Sequence, residues 1–222
     1  MMPFAGGIQE TANATLIFSI AAAVVYGIIL DTRPTLLQSA VKTLAVGLLG
    51  VLAALQGGSP LLVAALALCA AGDALLSRED DKPFLLGLAS FLAAHLLYVA
   101  LFGWSGGGAA LLLQPWRAAL TVVIAVAALA MLALLWPRVG PALRVPIVVY
   151  IAANAAMAVS ALTMGNFMIV AGAVLFVAST CLLGSERFLI AGISRHRDWM
   201  RHAVWALYYA AQLLITLGFL VA

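Results

Sequence analysis

The sequence predicts an all-α fold, a polytopic membrane bundle of about eight transmembrane helices. Two features of composition and one physical constraint lead there. Of 222 residues, 66% are hydrophobic and only 9% charged, whereas a soluble domain carries about 25% charged residues. Apolar runs of about 20 residues recur along the chain, each long enough to cross about 30 Å of hydrocarbon as a helix. Lipid offers no partner to backbone N–H and C=O groups, so runs of this length must satisfy them internally, as helices.

Breaks in hydropathy set the elements in order, with spans expected at roughly 12–30, 36–56, 60–77, 83–103, 117–136, 143–163, 167–184 and 201–221. The breaks carry turn chemistry: Asp31-Thr32-Arg33-Pro34, Gln56-Gly57-Gly58-Ser59-Pro60, and Trp136-Pro137 through Pro141. The glycine-rich stretch 103–108 reads as a loop. It lacks the strand–turn–helix setting of a phosphate cradle. The first residues, MMPFAGGIQETANA, have no basic stretch of the signal-peptide kind, so the first span is expected to be retained.

Basic residues orient the bundle. Arg33, Arg78, Lys82, Arg138, Arg144, Arg187, Arg195, Arg197 and Arg201 follow odd-numbered spans, and only Arg117 belongs to the opposite loops. The positive-inside rule makes the first set cytoplasmic and both termini non-cytoplasmic. The chain also echoes itself. Residues 70–79 (AAGDALLSRE) match 177–186 (VASTCLLGSE), Ala93–Leu97 matches Ala210–Leu214, and Phe102 matches Phe219. With four spans per half, the expected architecture is one membrane domain over 1–222. It is a parallel 4+4 repeat with halves at roughly 1–113 and 114–222, and such repeats often hold a functional site between them.

Several function classes are disfavoured. The pI near 9.1 is explained by topology, so no nucleic-acid partner is expected. Cys69 and Cys181 both fall inside spans, which gives neither a disulfide framework nor a CxxC site. His196 and His202 lie among arginines, and no HExxH or three-histidine set occurs, so no metal site is expected. No GxSxG elbow marks a serine hydrolase.

Ionisable groups within spans default to functional candidates because lipid makes them costly. Three occur: Lys42, Asp73 and His95. Ser90, Tyr98, Tyr150, Asn154, Ser179, Thr180, Tyr208, Tyr209 and Gln212 are their neutral companions. At about 1.5 Å per residue, Asp73 lies roughly 6 Å below the cytoplasmic end of its span. Lys42, Tyr150, Ser179 and Tyr208 lie roughly 7–11 Å deep, and Asn154, Gln212 and His95 about 15–18 Å. Six helices thus contribute to one slab. Simpler roles stand beside the functional one. Asp73 can lock helices through Lys42 or Arg78, and Lys42 can snorkel to the headgroups. His95 can be a packing residue, Tyr208 and Tyr209 interfacial aromatics, and Asn154 and Gln212 helix bridges. Glu186 reads as a solvated rim residue beside Arg187.

Gly72-Asp73-Ala74-Leu75-Leu76, followed by Gly87-Leu88-Ala89-Ser90-Phe91 and His95-Leu96-Leu97-Tyr98, resembles a G-D-x-L-L…G-x-x-S-F-x-x-x-H-x-x-Y signature. It is the signature of the YhhN-type integral membrane lysoplasmalogenases. Lys42, the run Gly172–Phe176 with Ser179, and Tyr208-Tyr209-Ala210-Ala211-Gln212 resemble the family's other motifs. Two departures stand out. Thr43 follows Lys42 where members often have proline, and Thr180 occupies a position that is often Asp or Asn.

The resemblance implies hydrolysis of the vinyl ether bond of a lysoplasmalogen to a fatty aldehyde and a glycerophospho-alcohol, without a cofactor. The substrate would be a lysophospholipid in a bacterial inner (plasma) membrane, with no protein partner expected. Such a reaction needs an acid to protonate the β-carbon, after which water attacks the oxocarbenium ion. Asp73 is the expected acid, with His95 in reserve. Lys42, Tyr98, Tyr150, Asn154, Ser179, Tyr208 and Gln212 are the expected substrate contacts. Burial disfavours the Asp73 anion and a nearby Lys42 favours it, a conflict that eases if Lys42 binds phosphate instead. The alternative is a small-solute or lipid carrier in which Asp73 and His95 couple protons.

Overall fold

The computed structural model describes residues 2–32, 35–77, 81–190, 194 and 196–221. These form eight α-helices: α1 (Thr11–Ile29), α2 (Leu36–Leu55), α3 (Pro60–Leu76), α4 (Asp81–Ser105), α5 (Pro115–Leu135), α6 (Pro141–Ala161), α7 (Phe167–Phe188) and α8 (His196–Leu220). A 3-10 turn at Ala109–Leu113 leads into α5, and no strand occurs among the described residues. Seven helices are long and apolar enough to cross a membrane. The exception, α3, has 17 residues and stands at the short end of the range for a span.

Helix starts follow from their first residues. Proline occupies the opening turn of α3, α5 and α6, where its missing N–H has no partner to lose. Thr35 and Asn166 cap α2 and α7 by accepting from the backbone N–H of Gln38 and Met168. Three expected boundaries are corrected. Helix α7 runs to Phe188 rather than 184, and α8 begins at His196 rather than 201. Charged residues end the apolar run without breaking the backbone ladder. Gly103 and Ser105 likewise lie in α4 rather than in a loop. Arg33, Arg78 and Arg195 lie outside the described residues.

Neighbours in sequence pack together, α1 on α2, α2 on α3, α3 on α4, α5 on α6, α6 on α7 and α7 on α8. The principal crossings between helices not adjacent in sequence are α4 on α6 and α2 on α8, with α5 also touching α7 and α1 touching α8. Helix α5 is peripheral: only Arg117, Ile124 and Leu135 of it are buried. Gly172 allows the α7–α8 approach, since a Cβ there would sit 2.8 Å from the Ala211 carbonyl and 3.1 Å from the Ile215 nitrogen. Polar bonds tie the helices laterally. Tyr209 and Ser19 share a 2.7 Å bond, Ser19 donates to the Ala45 carbonyl, and Trp205 donates to Ala23.

Arg117 is not a loop cation. It is buried, and its guanidinium donates to the carbonyls of Leu162 and Met164, the otherwise unpartnered end of α6. Arg117→Met is expected to lower stability by about 1–3 kcal/mol, the cost of stranding buried acceptors. Thermal unfolding in detergent measures this, and an unchanged midpoint would remove the capping role.

Candidate active site

A cavity of about 750 Å³ enters the bundle from the end where α2, α4, α6 and α8 begin. Its rim carries Gln38, Ser77, Arg187, Arg197 and Arg201. Glu186, expected to be solvated beside Arg187, is instead buried and bonds Arg197 at 2.5 Å. The partner comes from across the α7–α8 connection, while Arg187 lies over the Phe84 ring, 4.7 Å from its centre. Arg201 donates to the Leu30 carbonyl and lies 3.7 Å from Asp31.

Deeper in, Asp73 is almost wholly buried on the last turn of α3. Its Oδ1 lies 3.2 Å from Lys42 Nζ of α2, and its Oδ2 accepts a 2.8 Å bond from the Tyr208 hydroxyl of α8. Three helices therefore converge on one carboxyl group. Lys42 turns inward to this pair rather than snorkelling, and Tyr26 of α1 faces the ammonium, 5.8 Å from ring centre. Gly72 explains the residue before the acid. A Cβ there would meet the Phe91 ring at 2.6 Å, so glycine lets that ring lie beside Asp73 and against Tyr208. Ser77 Oγ and N–H both bond the Asp73 carbonyl, which closes the helix just past the acid.

The other expected residues divide into two groups. Tyr150, Asn154 and Ser179 line the cavity with Lys42, Asp73 and Tyr208. Ser179 spends its hydroxyl on the Val204 carbonyl, 2.8 Å away. His95, Tyr98 and Gln212 are fully buried behind the lining. His95 Nδ1 donates to the Phe91 carbonyl, which leaves Nε2 to accept from Asn154 at 2.9 Å. Its ring is wedged edge-on between Tyr150 and Phe176. Tyr98 donates to Gln212, which donates to Cys69 Sγ, a bridge through α4, α8 and α3. Asp73 and His95 share no hydrogen bond.

Asn154 also donates to Thr180 Oγ1 at 3.2 Å, and Thr180 stands on the cavity wall. Sequence reasoning did not nominate Tyr26, Phe91, Phe176, Trp205 or the rim arginines. Nothing separates an aromatic that faces a cavity from one that faces lipid until helices are paired. No group of three or more His, Cys, Asp or Glu able to hold a metal occurs among the described residues.

The residues of this site fall largely within a stretch, 37–219, that matches the family model described as YhhN family. The chain belongs to the YhhN family. The YhhN chain is 36% identical over 163 residues to the lysoplasmalogenase of Mycobacterium bovis, covering 71% of itself and 59% of that protein. It is 33% identical over 172 residues to lysoplasmalogenase TMEM86B of Homo sapiens, 78% of this chain and 69% of the relative. The Sus scrofa counterpart is 34% identical over 192 residues, 85% and 77%. This YhhN chain thus spans 59% of the length of the mycobacterial relative it matches. No solved structure matches it.

Proposed function

We propose that this protein hydrolyses the vinyl ether bond of a lysoplasmalogen, with Asp73 as the proton donor. The carrying observation is the Lys42–Asp73–Tyr208 cluster on the wall of a lipid-sized cavity, in a chain whose relatives are named lysoplasmalogenases.

The resting carboxyl group is flanked by an ammonium and a phenol. A lipid that fills the cavity displaces water, and an ion pair in a dry site is costly relative to its neutral form. Passage of one proton from Lys42 Nζ to Asp73 then yields a carboxylic acid beside the alkene. Asp73 gives that proton to the β-carbon of the vinyl ether. The π electrons form the new C–H bond, and the ether oxygen lone pair fills in to make an oxocarbenium ion. The Asp73 carboxylate, still held by Tyr208, stabilises that cation electrostatically. Water adds to the cationic carbon and its proton returns to the Lys42 amine. The hemiacetal carbon then releases the glycerol oxygen, which takes up a proton as the hemiacetal hydroxyl gives one up, yielding aldehyde and alcohol. Tyr150, Asn154 and Thr180 face the same space and suit the placing of water. His95 supports Asn154 from behind and acts as a positioning residue. Tyr98 and Gln212, outside the lining, hold α4, α8 and α3 together.

Arg187 is the rim cation suited to the substrate phosphate, since Lys42 is engaged by Asp73. The recurrence of helix pairings four elements on (α1–α2 with α5–α6, α2–α3 with α6–α7, α3–α4 with α7–α8, α4–α6 with α8–α2) supports a single domain built as a parallel 4+4 repeat, with α3 as its eighth span. The basic residues gathered at the cavity mouth support a cytoplasmic opening and non-cytoplasmic termini. A multi-pass location in a bacterial inner membrane follows the mycobacterial relatives.

Purified protein supplied with a lysoplasmalogen is expected to release aldehyde and glycerophospho-alcohol in equal amounts. Binding or vesicle uptake without turnover would favour a carrier. Tyr208→Phe keeps the ring against Phe91 and Phe176 and removes only the bond to Asp73. It is expected to lower kcat about tenfold or more, the kinetic equivalent of one charge-assisted hydrogen bond of about 1.5–3 kcal/mol. An unchanged kcat would dismiss Tyr208 from the site.

A further inference from the structure

We infer that the arm of the cavity between α6 and α7, walled by α5, seats the hydrocarbon chain of the lysolipid, a role that presupposes the lysoplasmalogen reading above. The cavity changes character along its width. One wall carries Lys42, Asp73, Tyr150, Asn154, Thr180 and Tyr208. The other is formed by Ile124, Ala128 and Met131 of α5, Ile147 and Ile151 of α6, and Val177 of α7.

The lining of the cavity extends from α6 and α7 to the peripheral helix α5. Gly184 of α7 lets Met131 of the α5 wall lie close against it: a Cβ there would be 2.9 Å from the Met131 methyl. Along α5 the lining runs from Ile124 to Leu135, about 16 Å from end to end at 1.5 Å per residue. That length takes up much of a fatty chain. One occupant satisfies both ends. A molecule with a long apolar tail joined to a small polar body would lay the tail here and hold the junction, where the vinyl ether lies, against Asp73.

The chain moves from bilayer to protein, one apolar medium to another, so the arm gains little from the hydrophobic effect. Its contribution is orientation of the reacting bond. Blocking the arm should therefore lower kcat for long-chain substrates more than it raises KM.

The protein carries a reporter. Cys181 lines the arm and is partly exposed, whereas Cys69 is fully buried and held by Gln212. In lipid nanodiscs, maleimide labelling of Cys181 is measured by mass spectrometry with a saturated 1-alkyl lysophosphocholine, which has no alkene to protonate. A long-chain analogue is expected to slow labelling several-fold, and an analogue with the same headgroup and a very short chain is expected to leave it unchanged. Ala128→Trp, which fills the arm, is expected to remove that protection and shift turnover towards shorter alkenyl chains. Equal protection by both analogues, or by neither, would overturn the assignment, as would Ala128→Trp with an unaltered chain preference. Wild-type labelling decides the matter even if Ala128→Trp fails to fold. Chain-dependent protection without aldehyde from any lysoplasmalogen would instead overturn the reaction and leave the arm standing.

Discussion

Asp73→Asn is expected to abolish aldehyde release, a loss on the order of 10²–10⁴-fold for removal of a general acid, while the helices still assemble. Asparagine fills the same volume and can still accept from Tyr208. It carries no transferable proton and leaves the Lys42 ammonium without its 3.2 Å partner. Breaking a buried pair on one side costs about 3–5 kcal/mol, so the variant should also unfold at a lower temperature. The Lys42→Met, Asp73→Asn double variant removes both charges. It should recover much of that stability and none of the turnover. Trapped aldehyde and thermal unfolding, read on the same preparations, separate the two effects. Full turnover by a folded Asp73→Asn would exclude Asp73 as the acid.

Gly172→Val should weaken assembly at the α7–α8 contact itself. The added side chain would start 2.8 Å from the Ala211 carbonyl and 2.8 Å from Ile215 Cγ1, and backbone cannot turn aside as a flexible side chain can. Helices α7 and α8 must separate, at about 1–3 kcal/mol for overpacking of this kind. Because α8 carries Tyr208, activity should fall as well. Gly103→Ala is the contrast. Its Cβ would meet nothing within 4 Å, and replacing glycine in a helix is worth about 0.5–1 kcal/mol in the favourable direction. A lower unfolding midpoint for Gly172→Val with none for Gly103→Ala is expected. Equal midpoints would mean that the α7–α8 contact adjusts freely.

The acid and its two partners were legible in the sequence because lipid penalises stray charge. Lys42 and Asp73 had few alternatives to meeting each other, and Tyr208 lay near their depth. Depth, however, fixes height in the bilayer and not the direction a side chain faces. His95, Tyr98 and Gln212 occupy the expected slab yet turn behind the cavity lining rather than into it. The apolar arm was invisible for a related reason. In a chain where most residues are hydrophobic, Ile124 or Met131 facing a cavity looks no different from its neighbours facing lipid. Arg117 and Glu186 were misjudged because residues near span ends are expected to find water. One instead caps a helix, and the other meets Arg197 at the start of α8.

The central claim is that Asp73 protonates carbon and that water then attacks the chain side of the ether. Turnover of a lysoplasmalogen by purified protein in heavy-oxygen water tests it most directly. The glycerophospho-alcohol should appear in step with the aldehyde and keep its original oxygen, because the glycerol–oxygen bond is never broken. Solvent oxygen in the alcohol, or no turnover by a folded protein, would contradict it.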